Sequence, residues 1–79
     1  MKLTIGQRRM LTVLERLAAD NAACPTNAAL GERLGCETKD AAKWFAALRS
    51  LGVIDVVRVH HSRQVTIAAT GAKTADINL

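Results

Sequence analysis

Residues 25–54 read PTNAALGERLGCETKDAAKWFAALRSLGVI, and this stretch decides the fold. Thr26 is of the type that caps a helix N-terminus, because its hydroxyl accepts from a backbone N–H that has no partner inside the helix. Residues 28–34 form a good helical run, with Leu30 and Leu34 on one face at i,i+4. Gly35 suits the left-handed residue that ends such a helix. Thr38 is the N-cap candidate for a second helix over about 39–51, and Gly52 is its stop. Only a few residues separate the two helices, as a helix-turn-helix requires.

On a 3.6-residue wheel, Ala41, Trp44, Phe45, Leu48 and Leu51 of the second helix share one side. Lys39, Ala42, Lys43, Ala46, Arg49 and Ser50 share the other. The outer face is small and basic. Small side chains let a helix approach a groove floor, and Lys and Arg reach phosphates and base edges. A solvated helix face has the same look, so the helix alone leaves both readings open. The Trp44 ring is expected to cover the core between this helix and a neighbour, the alternative being an exposed hot spot for a partner.

Working outward, residues 53–59 and 64–68 are rich in β-branched residues, and the segment between them is polar, which reads as a β-hairpin. Pairing through a turn at 60–63 would face Val57, Val59, Val65 and Ile67 toward the helices. Arg58, His60, Gln64 and Thr66 would then point outward. Two His and an Arg at the tip imply that it meets solvent or a ligand. His60 and His61 are of a type that binds metal, but solvated loop residues are the expectation, and protonation at low pH would favour contact with an anion.

A helix-turn-helix followed directly by a hairpin resembles the winged helix-turn-helix family of bacterial and phage DNA-binding domains. The resemblance rests on the quoted stretch, on the hairpin with Arg58 and Arg63 near its tip, and on VTIAATGAKTA at 65–75; it covers about residues 5–75. It implies an α+β, mainly α, fold: three helices with a C-terminal β-hairpin wing over about 54–69. It also implies double-stranded DNA as the partner and a role as a small transcriptional regulator. Lys39, Lys43 and Arg49 would then reach the major groove, with Ala42 and Ala46 giving close approach. Asp40 would either accept from a cytosine amino group or simply suit the helix dipole. Thr26, Asn27 and Thr38 would offer donors to phosphates, and Arg58, His60, His61 and Arg63 would lie along the backbone or in the minor groove. Winged helices also serve as protein-interaction modules, so an adaptor or inhibitor is the alternative.

Upstream, Thr4 and Gln7 have capping-box spacing, which starts a helix near Ile5 and carries it to about 20–22. Met10, Val13, Leu14 and Leu17 form its apolar stripe. Residues 23–25 are an extended link that permits a short third strand. Downstream, a core of about 5–70 gives way to a tail at 71–79. One helical turn within 70–75 is expected, and the sequence leaves open whether the end is ordered or pairs with a second copy. A weak homodimer is expected through Leu3, Ile5 and Leu11 and through Ile77 and Leu79.

Composition limits the rest. The 79 residues allow one domain with a small core, and a hydrophobic share of 49% with one Phe and one Trp makes that core aliphatic. The net charge is +4. Residues 38–52 hold three basic and one acidic side chain and 53–69 hold two and one, whereas 21–37 hold one basic and two acidic. The excess therefore falls on the second helix of the motif and the hairpin, with a further share on residues 1–20. No apolar run is long enough for a membrane span and no signal peptide is evident, so a cytoplasmic setting with reduced Cys24 and Cys36 is expected. No CxxC pair, nucleophile elbow or Gly-rich phosphate loop occurs, which predicts a non-enzyme without metal or cofactor.

Overall fold

The computed structural model describes residues 2–60 and 62–77. Three helices, α1 (Ile5–Ala19), α2 (Asn27–Leu34) and α3 (Thr38–Ser50), precede two strands, β1 (Ile54–Val59) and β2 (Ser62–Ile67), paired antiparallel. This is the expected α+β arrangement, mainly helical, consistent with a winged helix-turn-helix. No helix among the described residues is long and apolar enough to cross a membrane.

The helix starts follow their caps. Thr4 Oγ1 accepts from the Gln7 N–H at 3.2 Å and Gln7 Oε1 accepts from the Thr4 N–H at 3.0 Å, a complete capping box. Thr26 Oγ1 accepts from the Ala29 N–H at 3.2 Å. The expectation for α3 is off by one residue. Thr38 already lies inside the helix, and Glu37 occupies the cap position with no side-chain hydrogen bond. Both residues are polar, and the type of residue alone does not say which of them turns helical.

All three helices stop in the same way. Ala22 donates its N–H to the Leu17 carbonyl at 2.8 Å, Cys36 to Gly31 at 2.9 Å, and Val53 to Leu48 at 3.1 Å. The residue before each donor is left-handed: Asn21 at φ 49, Gly35 at φ 70 and Gly52 at φ 74. These are Schellman ends, which pair carbonyls that the last turn would leave open. The second of them makes the sharp turn between α2 and α3.

The core gathers Met10, Leu14 and Leu17 of α1, Leu30 and Leu34 of α2, and Phe45 and Leu48 of α3, capped by the hairpin. Trp44 is half-buried against this cluster, and its ring lies over Gly6; a Cβ placed there would stand 2.5 Å from Trp44 Nε1. Leu51 departs from the expected apolar stripe: it is the C-cap of α3 and 41% exposed. Of the residues expected to join two copies, Leu3 and Leu11 pack partly against the core and Ile77 is half-buried. Ile5 is 81% exposed, and Leu79 lies outside the described residues.

The hairpin corrects the expected facing of β1. The register pairs Ile54 with Ile67, Val56 with Val65, Arg58 with Arg63 and Val59 with Ser62, so Ser62 and Arg63, expected in the turn, already belong to β2. Ile54, Val65 and Ile67 are buried, whereas Val57 is 57% exposed and shares the outer face with Val59. Gln64 and Thr66 also lie on that outer face, as expected, although both are half-buried. β1 carries valines on both parities at 56 and 57, so alternation cannot choose its face. Burial of Ile54 against the helices chooses it, and a period of two carries Arg58 inward with it.

The segment after β2 also differs from expectation. No helical turn forms at 70–75, and the link at 23–25 contributes no strand. Instead the chain reverses and runs back along β2, with an isolated bridge between Thr66 and Lys73. Ile67 donates to the Ala72 carbonyl at 2.8 Å and Thr74 to the Val65 carbonyl at 2.9 Å. The Ala75 N–H then reaches the Ala22 carbonyl at 2.9 Å, which ties this segment to the α1–α2 link. Thr74 is fully buried, and its Oγ1 accepts from the Val65 N–H at 2.9 Å. Thr74→Val keeps the shape and strands that buried donor. It is expected to destabilise the fold by about 1–3 kcal/mol, read as a lower urea midpoint at unchanged m-value.

Candidate nucleic-acid interface

α3 turns its basic side outward. Lys39, Lys43, Ala46, Arg49 and Ser50 are exposed and Ala42 is half-buried, because Ala41, Phe45 and Leu48 take the inner face. This matches the wheel reading. Lys39 Nζ lies 3.5 Å from Glu37 Oε2, with both side chains well exposed, so the contact is solvent-screened and contributes little. Thr38 is exposed, and Asp40 is half-buried in the first turn of α3, where a carboxylate suits the helix dipole.

Between α3 and the hairpin lies a groove of about 530 Å³, lined by Asn27, Ala42, Phe45, Ala46, Arg49, Ser50 and Arg58. It gathers five of the residues singled out from the sequence: Asn27 at the start of α2, Ala42, Ala46 and Arg49 on α3, and Arg58 on β1. No carboxylate lines it. The α3 wall is low because Ala42 and Ala46 are small, so a partner can reach the helix backbone there. Thr26 sits beside this groove in sequence but is exposed and occupied as a cap. His60 is exposed at the hairpin tip with a left-handed φ of 54. His61 lies outside the described residues. Among the described residues no three His, Cys, Asp or Glu side chains come together as metal ligands.

Arg63 is the main correction to the expected contact surface. It does not extend from the tip. Its Nη2 donates to the Pro25 carbonyl at 2.7 Å and to Asn27 Oδ1 at 2.9 Å, and its Cζ stands 4.0 Å from the centroid of the Phe45 ring. One side chain of β2 thus braces the start of α2 and stacks on α3. Cation–π contacts of this kind contribute about 0.5–2 kcal/mol, more as they are desolvated. The sequence held a sign of this. Arg63 has the parity of Val65 and Ile67 in its own strand, and that parity is the buried one. Arg9 makes a comparable brace elsewhere, its Nη2 donating to the Leu34 carbonyl at 2.6 Å at the end of α2.

Cys24 stands against this brace. Its thiol donates to the Pro25 carbonyl at 3.6 Å. Burial pushes the thiol above its ordinary range, and the charges of Arg63 and Arg58 offset only part of that rise. Cys24 and Cys36 are both free thiols. Because the folded state holds the Cys24 proton more tightly than the unfolded chain, its contribution is intact below the unfolded pKa and is lost as pH rises through the folded one. Urea unfolding followed from pH 8 to pH 10.5 should therefore show a steeper alkaline decline for the wild type than for Cys24→Ala.

Comparison with known proteins leaves the reading to this geometry alone, since no family model, curated protein or solved structure matches the chain.

Proposed function

We propose that the protein binds double-stranded DNA and acts as a small transcriptional regulator, with α3 in the major groove and the hairpin along the backbone or in the minor groove. The observation that carries this reading is the groove between α3 and the hairpin. Two arginines, Arg49 and Arg58, face it from opposite walls, and its lining includes no acid. Neither arginine has an ion-pair partner among the described residues. A cleft with two unpaired cations and a low alanine wall favours a polyanion with a regular surface over a small neutral ligand. Lys43 extends the cationic strip along α3, and His60 extends the contact at the tip.

Two protomers on one duplex would double the phosphate contacts that a chain of this size can make. A weak homodimer formed on DNA is therefore part of the proposal, with Ile5 as its most exposed apolar residue. Sedimentation of the saturated complex tests it, and one protomer per duplex would rule it out. The alternative is a protein-interaction module, for which Trp44, half-buried over Gly6, would serve as an anchor.

The test is duplex binding against salt. Lys43→Ala should weaken binding on every sequence to a similar degree and lower the magnitude of the salt slope by about 1. Lys39→Ala should do less, since Glu37 already offsets part of that charge. A flat response of the wild type to any duplex at low salt would sink the DNA reading and leave the interaction module standing.

A further inference from the structure

We propose that Arg63 is a positioning residue: it sets the direction of the Asn27 amide, so that Asn27 Nδ2 donates into the α3–hairpin groove to a backbone phosphate of DNA. The inference rests on the DNA-binding reading and adds to it a residue that itself makes no contact with the ligand.

Donor chemistry fixes which atom of Asn27 meets the arginine. A guanidinium has only donors, and a side-chain amide has one oxygen and one NH2 group. The Asn27 atom that faces Arg63 Nη2 at 2.9 Å must therefore be Oδ1. The NH2 group is forced to the other side of the same planar amide. Asn27 also lines the groove beside Ala46, Arg49 and Arg58, which gives the NH2 group a ligand-accessible space to donate into. Nδ2 donates to no protein acceptor among the described residues, which leaves its two hydrogens for a ligand.

Arg63 is itself held from two further directions. The Pro25 carbonyl at 2.7 Å fixes Nη2, and the Phe45 ring at 4.0 Å fixes the guanidinium plane. The groove wall and the amide are thus set by one rigid group. A free surface asparagine interchanges its oxygen and NH2 by rotation about one bond, and half of the time would present an acceptor to a phosphate. This one presents a donor throughout. The bidirectional hold also couples the wing to the start of α2, so that a shift of β2 would turn the amide away.

The test separates bracing from binding with two variants. Asn27→Asp keeps an oxygen for Arg63 and suits the N-terminal end of α2, but replaces the donor that faces the groove with an anionic oxygen. It should melt at or above the wild-type temperature and bind duplex at least about ten-fold more weakly, as expected when a hydrogen bond to a charged group is lost. Arg63→Met should also weaken binding, and in wild type but not in Arg63→Met the Asn27 side-chain NH2 resonances should move on addition of duplex. Wild-type affinity in Asn27→Asp, or unmoved NH2 resonances in the saturated wild-type complex, would overturn the positioning role while the DNA reading stood. Failure of the wild type to bind any duplex at low salt would overturn both.

Discussion

Val65 lies at the centre of the hairpin's inner face with no exposure to water, so both of its backbone polar groups must find partners within the protein. Its neighbour β1 supplies neither, because the two groups point to the far edge of β2. Thr74 supplies both: its hydroxyl oxygen accepts from the Val65 N–H and its own N–H donates to the Val65 carbonyl. Much else is a consequence of this need. The chain must reverse after Ile67, run back beside β2 and bring a hydroxyl residue to one position. Having arrived there, it continues to Ala22 and closes the gap between the hairpin and the α1–α2 link. The segment beyond 70 belongs to the fold as much as any strand does.

How far the sequence spoke depends on whether a local rule had a single answer. The caps at Thr4 and Thr26 and the stops at Gly35 and Gly52 rest on interactions within a few residues, and they lie where the residues indicated. The outer face of α3 was legible because its apolar and basic residues fall on separate sides. The facing of β1 was not, since valines stand at both 56 and 57 and only the tertiary burial of Ile54 selects between them. Thr74 was invisible for another reason. It is one polar residue in a segment without periodicity, and its role is set by a strand nine residues away. Arg63 was assigned to the tip by charge, whereas its parity with Val65 pointed inward.

The same contrast divides the candidate interface. Residues read from the helix wheel, namely Ala42, Lys43, Ala46 and Arg49, hold their positions because α3 buries its opposite face. Residues read from the hairpin depended on the register, so Arg58 arrived at the groove from the inner face and Arg63 passed behind it to Phe45. Beside the groove, Arg63 ties β2 to the start of α2 and stacks on Phe45 of α3, so a charged group takes the place of apolar packing at this junction.

The return of the chain along β2 also bears on how the protein is made. A nascent chain that has reached Ile67 already has the three helices and both strands, yet the far edge of β2 carries unpaired Val65 and Ile67 groups beside an apolar surface. Only when the residues as far as Ala75 have left the ribosome can that edge close and the contact with Ala22 form. Until then β2 is a template for pairing with another chain. The segment from 70 to 75 thus ends the exposure, and closing of that edge waits on contacts far apart in sequence rather than on the local helices that form first.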